Sequence, residues 1–135
     1  MTFHNIIDNK LHQVVTESNV IPERMEISDD HKWNLTDIYK NDEEWEKDFN
    51  WVTGKLPDYK KFDGKLAESA ENLLGCFKFD DEINIKLERL YLYSMLSKDS
   101  DLRVSKFNSM DDRVKSLYSK VGAANSFIRP ELLKI

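Results

Sequence analysis

Three histidines, His4, His12 and His31, are the side chains best suited to hold a zinc ion in this chain of 135 residues. A zinc site on a helix places two His one turn apart so that both rings face one ion, and a metallopeptidase adds a Glu after the first. None of the three is followed by Glu, and no two are four residues apart. We therefore expect surface roles for His4 and His12, and we predict no metal ligands and no cofactor in this segment.

Carboxylates occur in runs that could supply paired acid and base groups. Most of these runs lie where a helix is predicted to begin, and there acidic side chains offset the positive end of the helix dipole. We interpret them as helix caps and solvated faces. The runs are Asp29 with Asp30, Asp42 with Glu43 and Glu44, Asp80 with Asp81 and Glu82, and Asp111 with Asp112.

Motifs for nucleophilic catalysis and phosphate binding are missing from the sequence. Ser94 and Ser109 have no histidine nearby, and the four glycines stand singly. No G-x-S-x-G, Walker or G-x-G-x-x-G motif occurs. The sequence therefore predicts no catalytic residue, and it leaves the substrate-binding residues unknown.

Cys76 is the only cysteine and lies in an apolar run, with no basic neighbour in sequence to lower the pKa of its thiol. We expect a buried structural residue. A lone cysteine favours a reducing interior. No signal peptide occurs, and no apolar stretch reaches the roughly 20 residues of a membrane span. These features predict a cytoplasmic protein with no membrane partner.

The charge balance argues against a nucleic-acid partner, because phosphate binding needs clustered basic groups. The chain has 20 Lys and Arg against 25 Asp and Glu, a formal net charge of -5. The last predicted helix is locally basic but lacks interleaved aromatic residues, so we expect a solvated face there. Its basic residues are Arg103, Lys106, Arg113, Lys115 and Lys120.

The first well-defined helix is predicted to begin after Asn41, a suitable N-cap, and to end at Gly54 in the left-handed C′ position. Trp45, Phe49 and Val52 form its apolar stripe. Core and anchor roles are therefore favoured over ligand stacking for the three tryptophans. We expect Trp33, Ile38 and Tyr39 to anchor the preceding turn, which Asn34 caps.

Longer helices are predicted further along, because no Gly or Pro occurs between Gly75 and Gly122. We expect helices over 65–78, 80–98 and about 101–127, the last ended by Pro130. Alternation over 83–87 is also typical of a strand, but the acidic start favours a helix. Helix 80–98 should be central and buried on more than one side, through a first stripe of Ile83, Leu87, Leu90, Tyr91 and Ser94 and a second of Ile85, Leu92 and Leu96.

The predicted fold class is all-α, with antiparallel helical hairpins forming a small up-down bundle. We expect residues 1–27 to form an N-terminal tail or strap and residues 28–135 a helical domain. The sequence stays apolar up to Ile135, whereas natural termini are more often polar. The chain is therefore expected to be a fragment of a longer protein, and an exposed docking face would let it self-associate.

Several segments between residue 22 and the chain end share their order and spacing with one known family. They are P-E-R at 22–24, E-I at 26–27, K-W-N-L-T-D-I-Y at 32–39 with Trp45, L-E-R-L-Y-L-Y-S at 87–94, K-D-S-D at 98–101 and S-F-I-R-P-E-L-L at 126–133. Together they resemble the N-terminal region of oligoendopeptidase F, a zinc metallopeptidase of the thimet-oligopeptidase type.

The resemblance implies the N-terminal lobe of a larger helical peptidase, in which this segment forms part of the wall of a channel that admits short peptides. It implies that zinc is held by an H-E-x-x-H helix and a further Glu in the rest of the peptidase chain. Because this sequence lacks that motif, we predict that these residues alone do not cleave peptides. The alternative is a stand-alone helical module whose apolar groove binds a partner helix. An independent peptidase is a third possibility.

Overall fold

The computed structural model describes residues 21–135, and the chain divides between Lys32 and Trp33 into two compact units. The described part of the first unit, 21–32, holds two single 3-10 turns, Arg24–Glu26 and Asp29–His31. His4, His12 and most of the predicted tail lie outside the described residues. The boundary predicted after residue 27 stays a prediction.

The second unit, Trp33–Ile135, is built from helices. Within residues 21–135 there is no β-strand, so the all-α prediction is confirmed. Two 3-10 helices, Leu35–Asp37 and Leu56–Lys61, precede and follow the first α-helix. The α-helices are α1 (Asp42–Lys55), α2 (Ala70–Ser100), α3 (Ser105–Ala124) and α4 (Ile128–Leu132).

Helix α1 begins as predicted, because the Asn41 side chain accepts a hydrogen bond from the backbone N–H of Glu44 at 3.0 Å. Its predicted end is wrong, since Gly54 lies inside the helix. The chain runs from α1 into the 3-10 helix Leu56–Lys61 with Leu56 still in right-handed helical geometry. No left-handed residue is needed there, and among the described residues only Gly64 has a positive φ, 78°.

Helix α2 is a single helix of 31 residues where two were predicted, over 65–78 and 80–98. The start at 65 is also wrong, because Ser69 caps the helix through the backbone N–H of Asn72. The acids at 80–82 resemble a helix start in sequence, but Asp80 accepts a hydrogen bond from the Tyr59 hydroxyl at 2.6 Å. It therefore serves a tertiary contact in mid-helix. The preference for helix over strand at 83–87 is confirmed.

Helices α2 and α3 run antiparallel, as three contacts along their length establish. Lys98 pairs with Asp111, Tyr91 packs edge-on against Tyr118, and Asp80 accepts a hydrogen bond from Asn125. Position numbers rise along α2 as they fall along α3. The wider up-down bundle of several hairpins remains a prediction.

The last predicted helix, 101–127, is shorter than expected, and Pro130 does not end it. Helix α3 stops at Ala124, and the short helix α4 follows with Pro130 inside its first turn. Proline is tolerated there because the first N–H groups of a helix have no partner within the helix.

The core lies where α1, α2 and α3 meet. Trp45 of α1, Leu87 and Leu90 of α2, and Val114 and Leu117 of α3 are almost completely buried. Each large apolar side chain buried in this way contributes about 1.5–3 kcal/mol relative to exposure. In the first predicted stripe of helix 80–98, Tyr91 is half-buried against the core and the other members, Ile83, Leu87, Leu90 and Ser94, are buried. The second stripe is not in the core, since Ile85 and Leu92 are exposed and Leu96 is half-buried.

Candidate functional site

Several charged side chains of the second unit join helices to one another. Asp42, in the first turn of α1, accepts a hydrogen bond from the Tyr93 hydroxyl at 2.8 Å and pairs with Lys106 of α3. Burial opposes ionisation of Asp42, but the Lys106 and Tyr93 hydrogen bonds outweigh it and lower the pKa of the carboxyl. Asp42 is therefore ionised and connects α1 to α2 and α3.

Asp111 is the most deeply buried carboxylate of the described residues and sits between two lysines. Its Oδ2 accepts from Lys98 and from Lys115, both at 2.7 Å. Burial opposes the charge, but the two lysine hydrogen bonds prevail, and the pKa of Asp111 lies below its usual value. Its Oδ1 is buried without a hydrogen-bond partner among the described residues. A carboxylate held as an anion in this way cannot serve as a proton shuttle near neutral pH.

Arg113 forms another ion pair between helices, which the sequence analysis did not predict. Its guanidinium binds both carboxylate oxygens of Glu46, with Nη2 to Oε2 at 2.8 Å, and lies 4.3 Å from the centre of the Phe49 ring. The prediction of a solvated basic face is therefore wrong for Arg113. Glu46 lies 67 residues away in the chain, and no local sequence signal points to that pairing.

A cleft of about 320 Å³ in the second unit lies between α1 and α2. Asp48 in its wall accepts from the Tyr39 hydroxyl at 2.9 Å and from Lys86 at 2.7 Å. The Arg89 guanidinium donates to the Ile38 carbonyl at 2.6 Å. The cleft can offer charge and hydrogen bonds to a bound group, but its walls hold no His, Cys or Ser that could act as a nucleophile. The lining residues are Tyr39, Glu44, Lys47, Asp48, Lys86 and Arg89.

Two of the three nucleophile candidates, Ser94 and Cys76, are buried. Ser94 is buried and donates its hydroxyl hydrogen to the Leu90 carbonyl at 2.8 Å, whereas Ser109 is exposed on α3. Cys76 is fully buried, as predicted. Burial, aided by the charges of Asp80 and Glu131, raises the pKa of its thiol to about 11. The thiol is therefore protonated and weakly nucleophilic at neutral pH.

The three tryptophans differ in their surroundings. Trp45 is buried in the core, which confirms its predicted role. Trp51 is half-buried, with the Lys86 ammonium 5.1 Å from its ring centre. Trp33 is 76% exposed, so the prediction that it anchors the turn before α1 is wrong. The same prediction is confirmed for Tyr39, which is buried and donates its hydroxyl hydrogen to Asp48.

Comparison with known proteins gives relatives of one kind. The chain is 32% identical over 98% of its length to oligopeptidase PepF of Bacillus subtilis. It is 36% identical over 83% to an oligoendopeptidase F homolog of Lactococcus lactis, and 30% identical over 83% to group B oligopeptidase PepB of Streptococcus agalactiae. The chain belongs to the oligoendopeptidase F family. It matches an N-terminal region of that family.

The oligoendopeptidase F relatives are much longer than this chain. The matched region is 21% of the Bacillus subtilis protein and 19% of the other two. The chain thus spans about a fifth of the length of the curated relatives it matches. No family model matches the chain, and no solved structure matches it significantly.

The zinc ion that the family resemblance implies does not fit the described residues. Between residues 21 and 135 no group of three or more His, Cys, Asp and Glu side chains could hold a metal ion. His31 is exposed in the first unit, and Trp33–Ile135 contains no histidine at all.

Within residues 21–135, none of the helices has the length and apolar character needed to cross a lipid bilayer.

Proposed function

We propose that this chain is the N-terminal, non-catalytic helical segment of a zinc-dependent oligoendopeptidase that hydrolyses short peptides. The observation that carries the proposal is the match itself, in which nearly all of this chain aligns with about a fifth of relatives named as oligopeptidases. In this proposal the partner is the remainder of the peptidase chain, and zinc and the cleavage chemistry belong to that remainder. The lone, buried Cys76 favours a cytoplasmic location.

The structural role we propose is that of a channel wall. Ion pairs connect α1 to the other two long helices. Lys86 of α2 lies 2.7 Å from Asp48, and Arg113 of α3 binds Glu46. These ion pairs, together with a buried aromatic and aliphatic core, support a wall that keeps its shape. A fixed wall would admit flexible short peptides and exclude folded proteins. No residue of this chain takes a chemical step in the proposal.

The proposal is tested by assaying the chain alone with a quenched fluorescent peptide in the presence of zinc. We expect no turnover above the rate without protein. Turnover that a chelator abolishes would contradict the non-catalytic role. A matched sample of Bacillus subtilis oligopeptidase PepF shows that the peptide can be cleaved under the same conditions.

A stand-alone helical interaction module is the second candidate, favoured by the exposed apolar side chains on α2. Such a module would bind an unrelated partner protein tightly and would remain a monodisperse monomer at high concentration. Size-exclusion chromatography with and without the partner would detect this behaviour. Restoration of peptide cleavage to a truncated relative by this chain would favour the peptidase segment over the module.

A further inference from the structure

The cleft between α1 and α2 is lined by charged side chains from both helices. Glu44, Lys47 and Asp48 are three and four residues apart, so they share one side of α1. Lys86 and Arg89 line the cleft from α2. Its volume of about 320 Å³ lies near the lower end of the range for ligand pockets, roughly 300–1,000 Å³. The cleft therefore has room for a small ligand or an extended chain, but not for a helix, which is about 10 Å across.

One pair of charged groups in the cleft is already neutralised. Asp48 accepts hydrogen bonds from Lys86 at 2.7 Å and from the Tyr39 hydroxyl at 2.9 Å. The Lys86 ammonium also lies 5.1 Å from the centre of the Trp51 ring. The Lys86 and Asp48 side chains are only 26% and 19% exposed. This pair is therefore a fixed part of the cleft wall and leaves little charge for a ligand.

Arg89 is held in place by the protein but keeps hydrogen-bond donors for a ligand. Its Nη2 donates to the Ile38 carbonyl at 2.6 Å, and its guanidinium carbon lies 4.9 Å from the centre of the Tyr39 ring. Within residues 21–135 Arg89 makes no other hydrogen bond and no ion pair. Because a guanidinium has five N–H donors, the remaining ones are available to an acceptor that enters the cleft.

Lys47 supplies a second positive charge. It is exposed and, among the described residues, it forms no hydrogen bond, ion pair or ring contact. When the Lys86–Asp48 pair is set aside, the cleft holds two positive groups, Lys47 and Arg89, against one negative group, Glu44. The cleft therefore favours an anion, although the chain as a whole has a formal net charge of -5.

Glu44 favours a peptide over a simple anion. Its Oε2 accepts a long hydrogen bond, 3.3 Å, from the backbone N–H of Lys40, so the carboxylate has lone pairs left for a further donor. A phosphate ion would place like charge next to Glu44, and the two would repel each other. A peptide offers a carboxylate to the two cations and also backbone N–H groups that Glu44 accepts. The mixed lining of the cleft therefore fits an extended peptide.

We propose that this cleft binds the carboxylate of a short extended peptide through Lys47 and Arg89, while Glu44 accepts a hydrogen bond from a peptide N–H. The carboxylate is that of the peptide C-terminus or of an Asp or Glu side chain. A guanidinium binds a carboxylate through two parallel hydrogen bonds, which gives the contact a defined direction. This proposal rests on the proposed function, because it assigns a peptide contact to this part of the channel wall.

The test titrates the chain with acetylated tetra-alanine, which has a free C-terminal carboxylate, and follows the backbone amide NMR signals around positions 47 and 89. Three further probes are the same peptide as a C-terminal amide, an amidated peptide with a central Glu, and inorganic phosphate. Lys47→Gln removes one of the two cations without removing a contact to the described residues. Lys120→Gln, at an exposed position of α3, removes the same charge elsewhere and is the matched control.

We expect at least one of the two carboxylate peptides to shift these amide signals, and the neutral amide to leave them unchanged. The peptide that binds more tightly identifies the carboxylate as C-terminal or side-chain. Lys47→Gln should weaken that binding by about two- to fivefold, as for the loss of an exposed ion pair, and Lys120→Gln should not change it. Arg89→Lys keeps the charge but not the two parallel hydrogen bonds, so it should also weaken binding.

Three results would overturn the proposal. The first is no binding by either carboxylate peptide, or equal binding by the neutral amide. The second is phosphate binding as tight as that of the peptides, because the cleft would then be a simple anion site. The third is peptide binding that Lys47→Gln leaves unchanged.

The titration separates this site from the proposed function, because it involves no cleavage. Absence of binding would overturn the peptide site and would leave the family match, on which the proposed function depends, unaffected. Binding accompanied by chelator-sensitive turnover by the chain alone would keep the peptide site and contradict the non-catalytic role.

Discussion

The indole N–H of Trp45 donates a hydrogen bond to the backbone carbonyl of Leu90, with 2.9 Å between Nε1 and O. Both residues are fully buried. This bond fixes α1 against the middle of α2, at a carbonyl that also accepts from the Ser94 hydroxyl at 2.8 Å. The contact therefore sets the position of the helix pair from which the proposed wall is built.

Removing the Trp45 side chain should be among the most damaging changes in the second unit. We expect Trp45→Ala to lower the free energy of unfolding by about 3–5 kcal/mol, because a large cavity replaces the ring. Trp33→Ala is the matched control at an exposed tryptophan and should change it by less than about 0.5 kcal/mol. Urea unfolding followed by circular dichroism measures both. Similar losses for the two variants would contradict the packing described for Trp45.

Two glycines in different backbone conformations should respond oppositely to the same substitution. Gly54 lies in α1 with no atom near an added Cβ, so Gly54→Ala should stabilise the protein by about 0.5–1 kcal/mol. Gly64 has φ 78°, so Gly64→Ala should destabilise it by about 1 kcal/mol. Thermal unfolding of the two variants checks the pair. A loss of stability in Gly54→Ala would contradict the helical position of Gly54 and would favour the left-handed helix end expected from the sequence.

Asp111 should make stability depend on pH in the acid range. Its pKa in the folded state is below the ordinary 3.8, so its contribution is present above about pH 4 and is lost as the pH falls through the folded pKa. Asp111→Asn should lower the free energy of unfolding at pH 7 by about 1–3 kcal/mol. It should also make the free energy of unfolding depend less on pH in the acid range. Asp112→Asn, at the exposed neighbour, is the control. Urea midpoints from pH 7 to pH 2.5 that superimpose for the wild type and Asp111→Asn would rule out this role.

Arg113 should not be replaceable by lysine. Arg113→Lys removes one of the two bonds to Glu46 and the stacking over Phe49. At this half-exposed site we expect a loss of about 0.5–1 kcal/mol. The share of this loss that comes from stacking over Phe49 should persist in 1 M salt, because salt screens the ion pair and not the stacking. Lys120→Arg, at an exposed position of the same helix, is the reverse control and should have no effect. A loss that vanishes completely in salt would mean that the ion pair alone is responsible.

The helical class and the start of α1 could be predicted because their signals are local. Asn41 is a good cap, and the acids after it suit the first turn of a helix. The continuity of α2 could not be predicted, because Asp80 resembles a helix start and its partners, Tyr59 and Asn125, lie 21 and 45 residues away. The exposure of Ile85 and Leu92 was missed for a related reason. Periodicity marks an apolar side of a helix but does not say which chain covers it.

The burial of Cys76 was predictable, since its apolar neighbours can be read directly from the sequence. The roles of the charged residues were not, because each depends on a partner brought close by folding. Lys106 was expected on a solvated face, yet it pairs with Asp42, 64 positions earlier in the chain. Residues 1–20, which include two of the three histidines, lie outside the described structure.

The most direct test of the account uses a chimera in which this chain replaces the matched segment of Bacillus subtilis oligopeptidase PepF. The rate at which the chimera cleaves a quenched fluorescent peptide is compared with the rate of oligopeptidase PepF lacking that segment. If this chain is the N-terminal wall of such a peptidase, the chimera should cleave within about tenfold of the parent enzyme, a barrier change of about 1.4 kcal/mol, and the truncated enzyme should be far slower. A folded chimera no faster than the truncated enzyme would contradict the account.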